Sequence, residues 1–298
     1  MTRTARPRPA TAFAPAKINL CLHVIGRRAD GYHLLDSLVA FADIGDAVTA
    51  GPAAELSLTV GGPEAAALAG LDDDNLVLRA ARRLAAYFGV EAGAALHLEK
   101  RLPVASGIGG GSSDAAAAAR ALARLWQRPL DAGAVAALAE LGADIPACLA
   151  AAPVWVGGIG EELAAAGPLP QTGILLANPR RPLPTSAVFR ARTGPFGTQH
   201  RFTIPQTSAD LAALLGERRN DLTEAAAGLV PEIATVLDRL ARLPGALLAR
   251  MSGSGATCFA LFADRPAALG AGEILTAAEP HWWTASGRLL PDQAGEPG

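Results

Sequence analysis

The segment Pro103-Val104-Ala105-Ser106-Gly107-Ile108-Gly109-Gly110-Gly111-Ser112-Ser113-Asp114 runs straight into an alanine-rich stretch, Ala115 to Leu125. Nothing else in the chain restricts the fold as much. Four glycines within five residues let the backbone turn several N–H groups toward one point. The alanine run is a strong helix former, and the first four N–H groups of a helix lack internal acceptors. Such a junction suits an anion, most naturally the phosphates of a nucleotide. A glycine-rich turn that only caps a helix is the alternative, and the coincidence of serine pair, glycine cluster and helix favours phosphate.

Two familiar phosphate loops can be tested against these letters. A Walker A loop needs Gly-Lys-Ser/Thr at the helix start, and no Gly-Lys pair occurs in the chain. A dinucleotide fingerprint begun at Gly107 has Gly109 in place but Ser112 where its third glycine belongs. A phosphate loop of a third kind is therefore expected.

The 298 residues are half hydrophobic, enough for two domains with full cores. A net charge of −2 offers no broad basic field for nucleic acid or an anionic membrane, so neither is expected as a partner. Cys21, Cys148 and Cys258 are far apart and form no C-x-x-C pair, which predicts structural thiols in a reducing cytoplasm. No apolar leader follows Arg3, Arg6 and Arg8, and no run is long enough to span a bilayer. Residues 1–12, rich in Pro and Arg, read as a flexible tail.

Of the 26 basic residues only Lys17 and Lys100 are lysine. A lysine kept at position 17 among arginines hints at a task for a compact ammonium, with chance as the competitor. Residues 16–25 alternate as a strand, with Ile18, Leu20, Leu22 and Val24 on one face and Lys17, Asn19, Cys21 and His23 on the other. A turn at Ala29-Asp30-Gly31 leads to further strand over 34–49. Asn75 to Phe88 has helical spacing, with Asp72-Asp73-Asp74 as N-terminal caps, and Ala94 to Leu102 reads as a strand entering the glycine-rich loop. Residues 131–141 form another helix. Asp144, between Gly142 and Pro146, is either a helix cap or a catalytic carboxylate. The Gly/Pro-rich stretch 160–173 marks the expected domain boundary, and Thr185 suits the N-cap of a helix over Ser186–Arg192. Ser252-Gly253-Ser254-Gly255 is either a tight hairpin or a second backbone surface beside the phosphates. Residues 190–215 and 266–298 carry no readable motif.

Taken together, Pro15-Ala16-Lys17-Ile18-Asn19-Leu20, the Pro103-to-Asp114 loop and Ser252 to Gly255 resemble the galactokinase, homoserine kinase, mevalonate kinase and phosphomevalonate kinase (GHMP) family, over about residues 13–265. Arg28-Ala29-Asp30-Gly31-Tyr32-His33, Leu141 to Pro146 and Pro184 to Phe189 are similar to the branch that acts on diphosphocytidyl-methylerythritol in the methylerythritol phosphate route to isoprenoids. The resemblance implies an α+β, two-domain fold. An N-terminal ATP-binding domain of mixed strands and helices (13–165) and a C-terminal domain of antiparallel sheet and helices (166–298) would enclose the site in a cleft. It implies transfer of the γ-phosphoryl group of ATP, with Mg2+, to the C2 hydroxyl of the acceptor.

By position, Asp144 matches the family's proton-accepting carboxylate and Lys17 the lysine that polarises it. Residues Pro103, Val104, Ala105, Ser106, Gly107, Ile108, Gly109, Gly110, Gly111, Ser112 and Ser113 match the nucleotide loop, with both serine hydroxyls as phosphate or magnesium contacts. The family's loop often has glycine where Ala105 and Ser106 stand. Asp114 is expected to favour the helix dipole and face away from polyphosphate, and the metal ligands stay open. Tyr32, His33 and Phe189 would hold the cytosine by stacking and hydrogen bonds, with Asn19 and Thr185 as further polar contacts. Rival readings are a sister kinase acting on homoserine, mevalonate or a sugar, and a non-catalytic nucleotide sensor of the same fold. Monomer and homodimer are both open.

Overall fold

The structure is a computed structural model that describes residues 8–70, 74–91 and 93–292. One sheet holds β1 (Ala10–Arg27), β2 (His33–Ala53), β3 (Ser57–Gly61), β4 (Gly93–Glu99), β5 (Val154–Gly157) and β6 (Glu162–Ala165). Its order is β3-β4-β2-β5-β6, with β1 also paired to β2. A second, antiparallel sheet of β7 (Gly173–Asn178), β8 (Leu248–Met251), β9 (Cys258–Phe262) and β10 (Trp283–Arg288) has the order β10-β7-β9-β8. Helices α1 (Leu76–Phe88), α2 (Gly110–Leu125), α3 (Ala132–Ala139) and α4 (Ile145–Ala150) accompany the first sheet in sequence. Helices α5 (Thr185–Ala191), α6 (Ser208–Gly216), α7 (Thr223–Leu229), α8 (Glu232–Ala241) and α9 (Arg265–Ala278) come with the second. This is the α+β architecture that the motifs imply.

The two sheets share a core. Ile18 and Leu20 of β1 and Leu38 of β2 pack in one cluster with Ile174, Leu176, Phe259 and Leu261 of the second sheet. One side of β1 is thereby sealed, which leaves its other side to carry polar groups.

Strand β1 departs from simple alternation. Asn19 pairs with Val39 and Cys21 with Leu38, so Leu20 is an extra residue in the ladder. A bulge of one residue reverses which side chains share a face. The single polar face expected for Lys17, Asn19, Cys21 and His23 is corrected accordingly. Lys17 and Asn19 point into a cavity, Cys21 is buried in the apolar cluster, and the His23 ring sits 5.1 Å from that of His200. Beyond the bulge it is Leu22 that reaches the cavity.

Residues 10–12, expected to belong to a flexible tail, are part of β1 instead. Ala10, Thr11 and Ala12 already pair with Ala50, Thr49 and Val48, and Ala12 is buried. Residues 1–7 lie outside the described residues, as do Asp72 and Asp73 of the expected cap. The cap of α1 is Asn75, whose Oδ1 accepts from Val77 N at 2.9 Å. Helix α2 begins at Gly110 rather than Ala115, because Gly109 takes φ +63° as its N-cap and its carbonyl accepts from Ser113 N at 2.9 Å. Ala115 to Ala119 are all buried, and their small side chains let α2 lie close against β1. Arg120 holds that seam by donating to the carbonyls of Phe13 and Cys148 at 2.7 and 3.0 Å.

Candidate active site

A cavity of about 1180 Å³ is lined by β1, the glycine-rich loop, the 142–144 turn, α5 and the 253–254 turn. Pockets for one drug-sized ligand run to roughly 300–1,000 Å³. There is room here for two ligands end to end.

At one end the glycine-rich loop is clamped from both sides. Lys17 N donates to Ile108 O at 2.9 Å, and Thr257 N to Ser106 O at 3.1 Å. Ser252 Oγ donates to Gly107 O at 3.1 Å. The turn at 252–255 is thus both a hairpin, joining antiparallel β8 and β9, and a wall behind the loop. A Cβ added at Gly107 (φ +76°) would stand 2.6 Å from Gly255 O and Ser252 O, and one at Gly109 would stand 2.9 Å from Lys17 Cβ. At Gly110 the added Cβ would meet only the end of Lys100, at 3.1 Å. The two earlier glycines are therefore the indispensable ones.

Gly110, Gly111 and Ser112 form the first turn of α2 and line the cavity. Their N–H groups are those a helix cannot satisfy internally, at the positive end of its dipole. Pro103 to Gly107 and Gly109 line it as well, whereas Ile108 is fully buried and contributes its carbonyl to Lys17. The two serines differ. Ser112 lines the cavity, but buried Ser113 donates its hydroxyl to Pro15 O at 2.6 Å. That removes the Ser113 hydroxyl as a phosphate or metal contact.

Asp114 also departs from expectation. It is buried, and its Oδ2 accepts from Lys100 Nζ at 2.7 Å. Lys100 Nζ donates as well to Asp46 Oδ2 at 2.6 Å, while Asp46 Oδ1 accepts from Arg101 N and Leu102 N at 2.6 and 2.8 Å. An ammonium, not the helix dipole, decides where this carboxylate sits. Burial disfavours the Lys100 charge, yet Asp114 and Asp46 outweigh it and hold the ammonium above its ordinary value. Burial likewise pushes the Asp114 carboxyl up to about 8, against the pull of Lys100 and with the push of Asp46.

A carboxyl that holds its proton more tightly when folded lowers stability as pH rises from its unfolded value toward its folded one. Stability should therefore fall between about pH 4 and pH 8 and level off above. Asp114→Asn should flatten that slope. Thermal melts across this range would show wild type losing ground to the variant with rising pH; parallel curves would reject the assignment.

Between the glycine-rich loop and the opposite end, Lys17 Nζ and Asp144 Oδ1 meet at 2.7 Å. The Lys17 side chain is 8% exposed and that of Asp144 42%. Asp144 stands at the N-cap position of α4, but its side chain makes no capping bond. Of the two readings open from sequence, the carboxylate is available for chemistry. Ser112 Oγ lies beside this turn, 3.9 Å from where a Cβ on Gly142 would be.

The far end is aromatic. The His33 and Phe189 rings stack at 5.1 Å and 26°, and Tyr32, 61% exposed, lines the same region. Burial and the charges of Arg27 and Arg192 hold the His33 imidazole below its usual value. It stays neutral at pH 7, one nitrogen donating and the other accepting. Asn19 lines the cavity with its Nδ2 donating to Ser37 Oγ at 2.8 Å. Thr185 is not the N-cap of α5, a position held by Pro184; its hydroxyl instead bonds Ser254 Oγ at 2.8 Å. The structure brings all five expected acceptor contacts to one cavity.

Sequence reasoning missed Lys100, although it is the other of only two lysines and the same scarcity pointed to it. Ser37 and the rim arginines Arg27, Arg190 and Arg192 carried no signal, because they reach the cavity only through pairing and helix placement. Among the described residues, no three His, Cys, Asp or Glu side chains gather to hold a metal, and no helix is long and apolar enough to cross a membrane.

Residues 75–151 match the GHMP kinases N-terminal domain and residues 206–280 the GHMP kinases C-terminal domain. A 4-diphosphocytidyl-2-C-methyl-D-erythritol kinase of Cereibacter sphaeroides is 55% identical, over 94% of this chain and 99% of the relative. One from Methylobacterium radiotolerans is 56% identical, over 91% and 96%. The chain belongs to the GHMP kinase family, in its 4-diphosphocytidyl-2-C-methyl-D-erythritol kinase branch. A crystal structure of a 4-(cytidine 5'-diphospho)-2C-methyl-D-erythritol kinase superposes with a TM-score of 0.77 at 34% identity, covering 94% of this kinase and 99% of that one. A homoserine kinase from Cytophaga hutchinsonii shares the fold at a TM-score of 0.71 and 17% identity, covering 98% of each chain. In this kinase the N-terminal match spans the glycine-rich loop and Asp144, and the C-terminal match spans Ser252 to Gly255; Lys17 lies outside both.

Proposed function

We propose that this kinase transfers the γ-phosphoryl group of ATP to the C2 hydroxyl of 4-diphosphocytidyl-2-C-methyl-D-erythritol, giving the 2-phosphate on the methylerythritol phosphate route to isoprenoids. The observation that carries this reading is the 2.7 Å pair of Lys17 and Asp144, set between a helix N-terminus and an aromatic end. Phosphoryl transfer leaves a protein little covalent work, so placement and charge supply most of the acceleration. The first turn of α2 takes the phosphates, and Asp144, oriented by Lys17, accepts the proton of the attacking hydroxyl. Tyr32, His33 and Phe189 hold the cytosine, while Asn19 and Thr185 face the acceptor between the two ends.

Magnesium bound to nucleotide keeps several waters and takes only one or two protein oxygens, so the absence of a carboxylate cage among the described residues is compatible with it. The Ser112 hydroxyl is the protein oxygen at that end that fits the role, and the ion would neutralise charge on the phosphate oxygens. A monomer and a homodimer are equally compatible with this reading. Burial pushes the free thiols up, to about 11 for Cys21 and about 12 for Cys148, and inert buried thiols suit a cytoplasmic enzyme. We read residues 13–165 and 166–298 as its two domains.

Purified protein given ATP, magnesium and the cytidine acceptor should release ADP and form a phosphomonoester at C2, seen by phosphorus NMR. Homoserine, mevalonate and galactose should give no turnover. Turnover on homoserine alone would replace this reading with the sister-kinase one.

A further inference from the structure

The stretch between α5 and α6 carries no motif, yet it returns to the aromatic end of the cavity. Gly197 N donates to Val24 O at 2.9 Å, and His200 N and Arg201 Nε donate to the two oxygens of fully buried Asp36 at 3.0 and 2.9 Å. These bonds fix a strap across the ends of β1 and β2. Phe196, just before the first tether, places its ring 6.5 Å from that of His33, edge-on at 62°. Arg192 also lies against it, its guanidinium carbon 5.3 Å from the ring centre. Arg192 in turn donates to the carbonyls of Gly194 and Pro195 at 3.3 and 2.6 Å, which closes the strap on itself.

His33 is therefore flanked on two sides, stacked on Phe189 and steeply inclined to Phe196. Aromatic neighbours in two directions restrict the rotation of a ring before any ligand arrives, so less entropy is given up on binding. We infer that Phe196 is a positioning residue for recognition of the pyrimidine, acting through His33 rather than touching the base, with the 192–201 strap as its mount. This rests on the reading of Tyr32, His33 and Phe189 as the cytosine site. Half-exposed Phe196 supports little of the core, so its removal leaves the fold intact.

Phe196→Ala should raise KM for the cytidine acceptor about three- to tenfold, the range an aromatic contact supplies, and leave kcat and KM for ATP unchanged. Phe196→Tyr should restore the wild-type value. A merely structural loss would not move the second readout. His33 is held low first by burial and then by Arg27 and Arg192, and without Phe196 the ring is wetter. Its NMR titration should therefore shift upward in Phe196→Ala. An unchanged acceptor KM and an unchanged His33 titration in Phe196→Ala, alongside a raised KM in His33→Ala, would overturn the inference and spare the cytosine site. An unchanged KM in His33→Ala and Phe189→Ala would remove the site itself and the inference with it.

Discussion

Asp144→Asn is expected to lower kcat by about 10²–10⁴-fold, the contribution of a positioned general base, while KM for ATP stays at its wild-type value. Asparagine keeps the shape and can still bond Lys17, but it cannot take a proton from the acceptor hydroxyl. Stability offers a control. An ion pair with one partner 42% exposed is worth at most ~1 kcal/mol, so the variant should melt close to wild type. Steady-state kinetics with the cytidine acceptor decide the matter. Wild-type turnover in this variant would place the base on another residue and leave the Lys17–Asp144 pair with a structural role.

Gly107→Ala is the second large effect. The residue sits at φ +76°, where an L side chain costs roughly 1–2 kcal/mol, and its new methyl would press on two backbone carbonyls at 2.6 Å. Neither carbonyl can rotate away as a side-chain tip can. The glycine-rich loop must move off the 252–255 turn, carrying the amides of α2's first turn with it. KM for ATP should rise about tenfold or more, from the strain alone. Gly216→Ala is the matched control, because its methyl enters open space and the backbone there is ordinary. Equal KM values for ATP in the two variants would mean that the loop's shape does not set nucleotide affinity.

Much of the site was legible because its parts are local. The glycine-rich loop, the helix behind it and the 252–255 turn are each written in consecutive residues whose backbone demands can be read one by one. Asp144 was legible as a fixed carboxylate, though cap and base could not be separated until its side chain was seen to make no capping bond. The errors have one character. On sequence alone Cys21 and His23 share the face of Lys17, Ser113 faces the phosphates, Thr185 caps a helix and Asp114 favours the dipole; each is redirected by a partner distant in sequence. Leu20 bulges against β2, Pro15 takes the Ser113 hydroxyl, Ser254 takes that of Thr185, and Lys100 takes Asp114.

From its letters alone the chain determined that a flexible backbone would meet a helix start, that a strand would carry an ammonium, and that a carboxylate would be pinned between Gly142 and Pro146. Only the tertiary structure decided that those three groups converge, that one serine of the pair faces the cavity, and that His33 is gripped between Phe189 and Phe196. The reason is physical: conformational preference acts over a few neighbouring residues, whereas burial, strand register and charge pairing act between any residues that folding brings into contact.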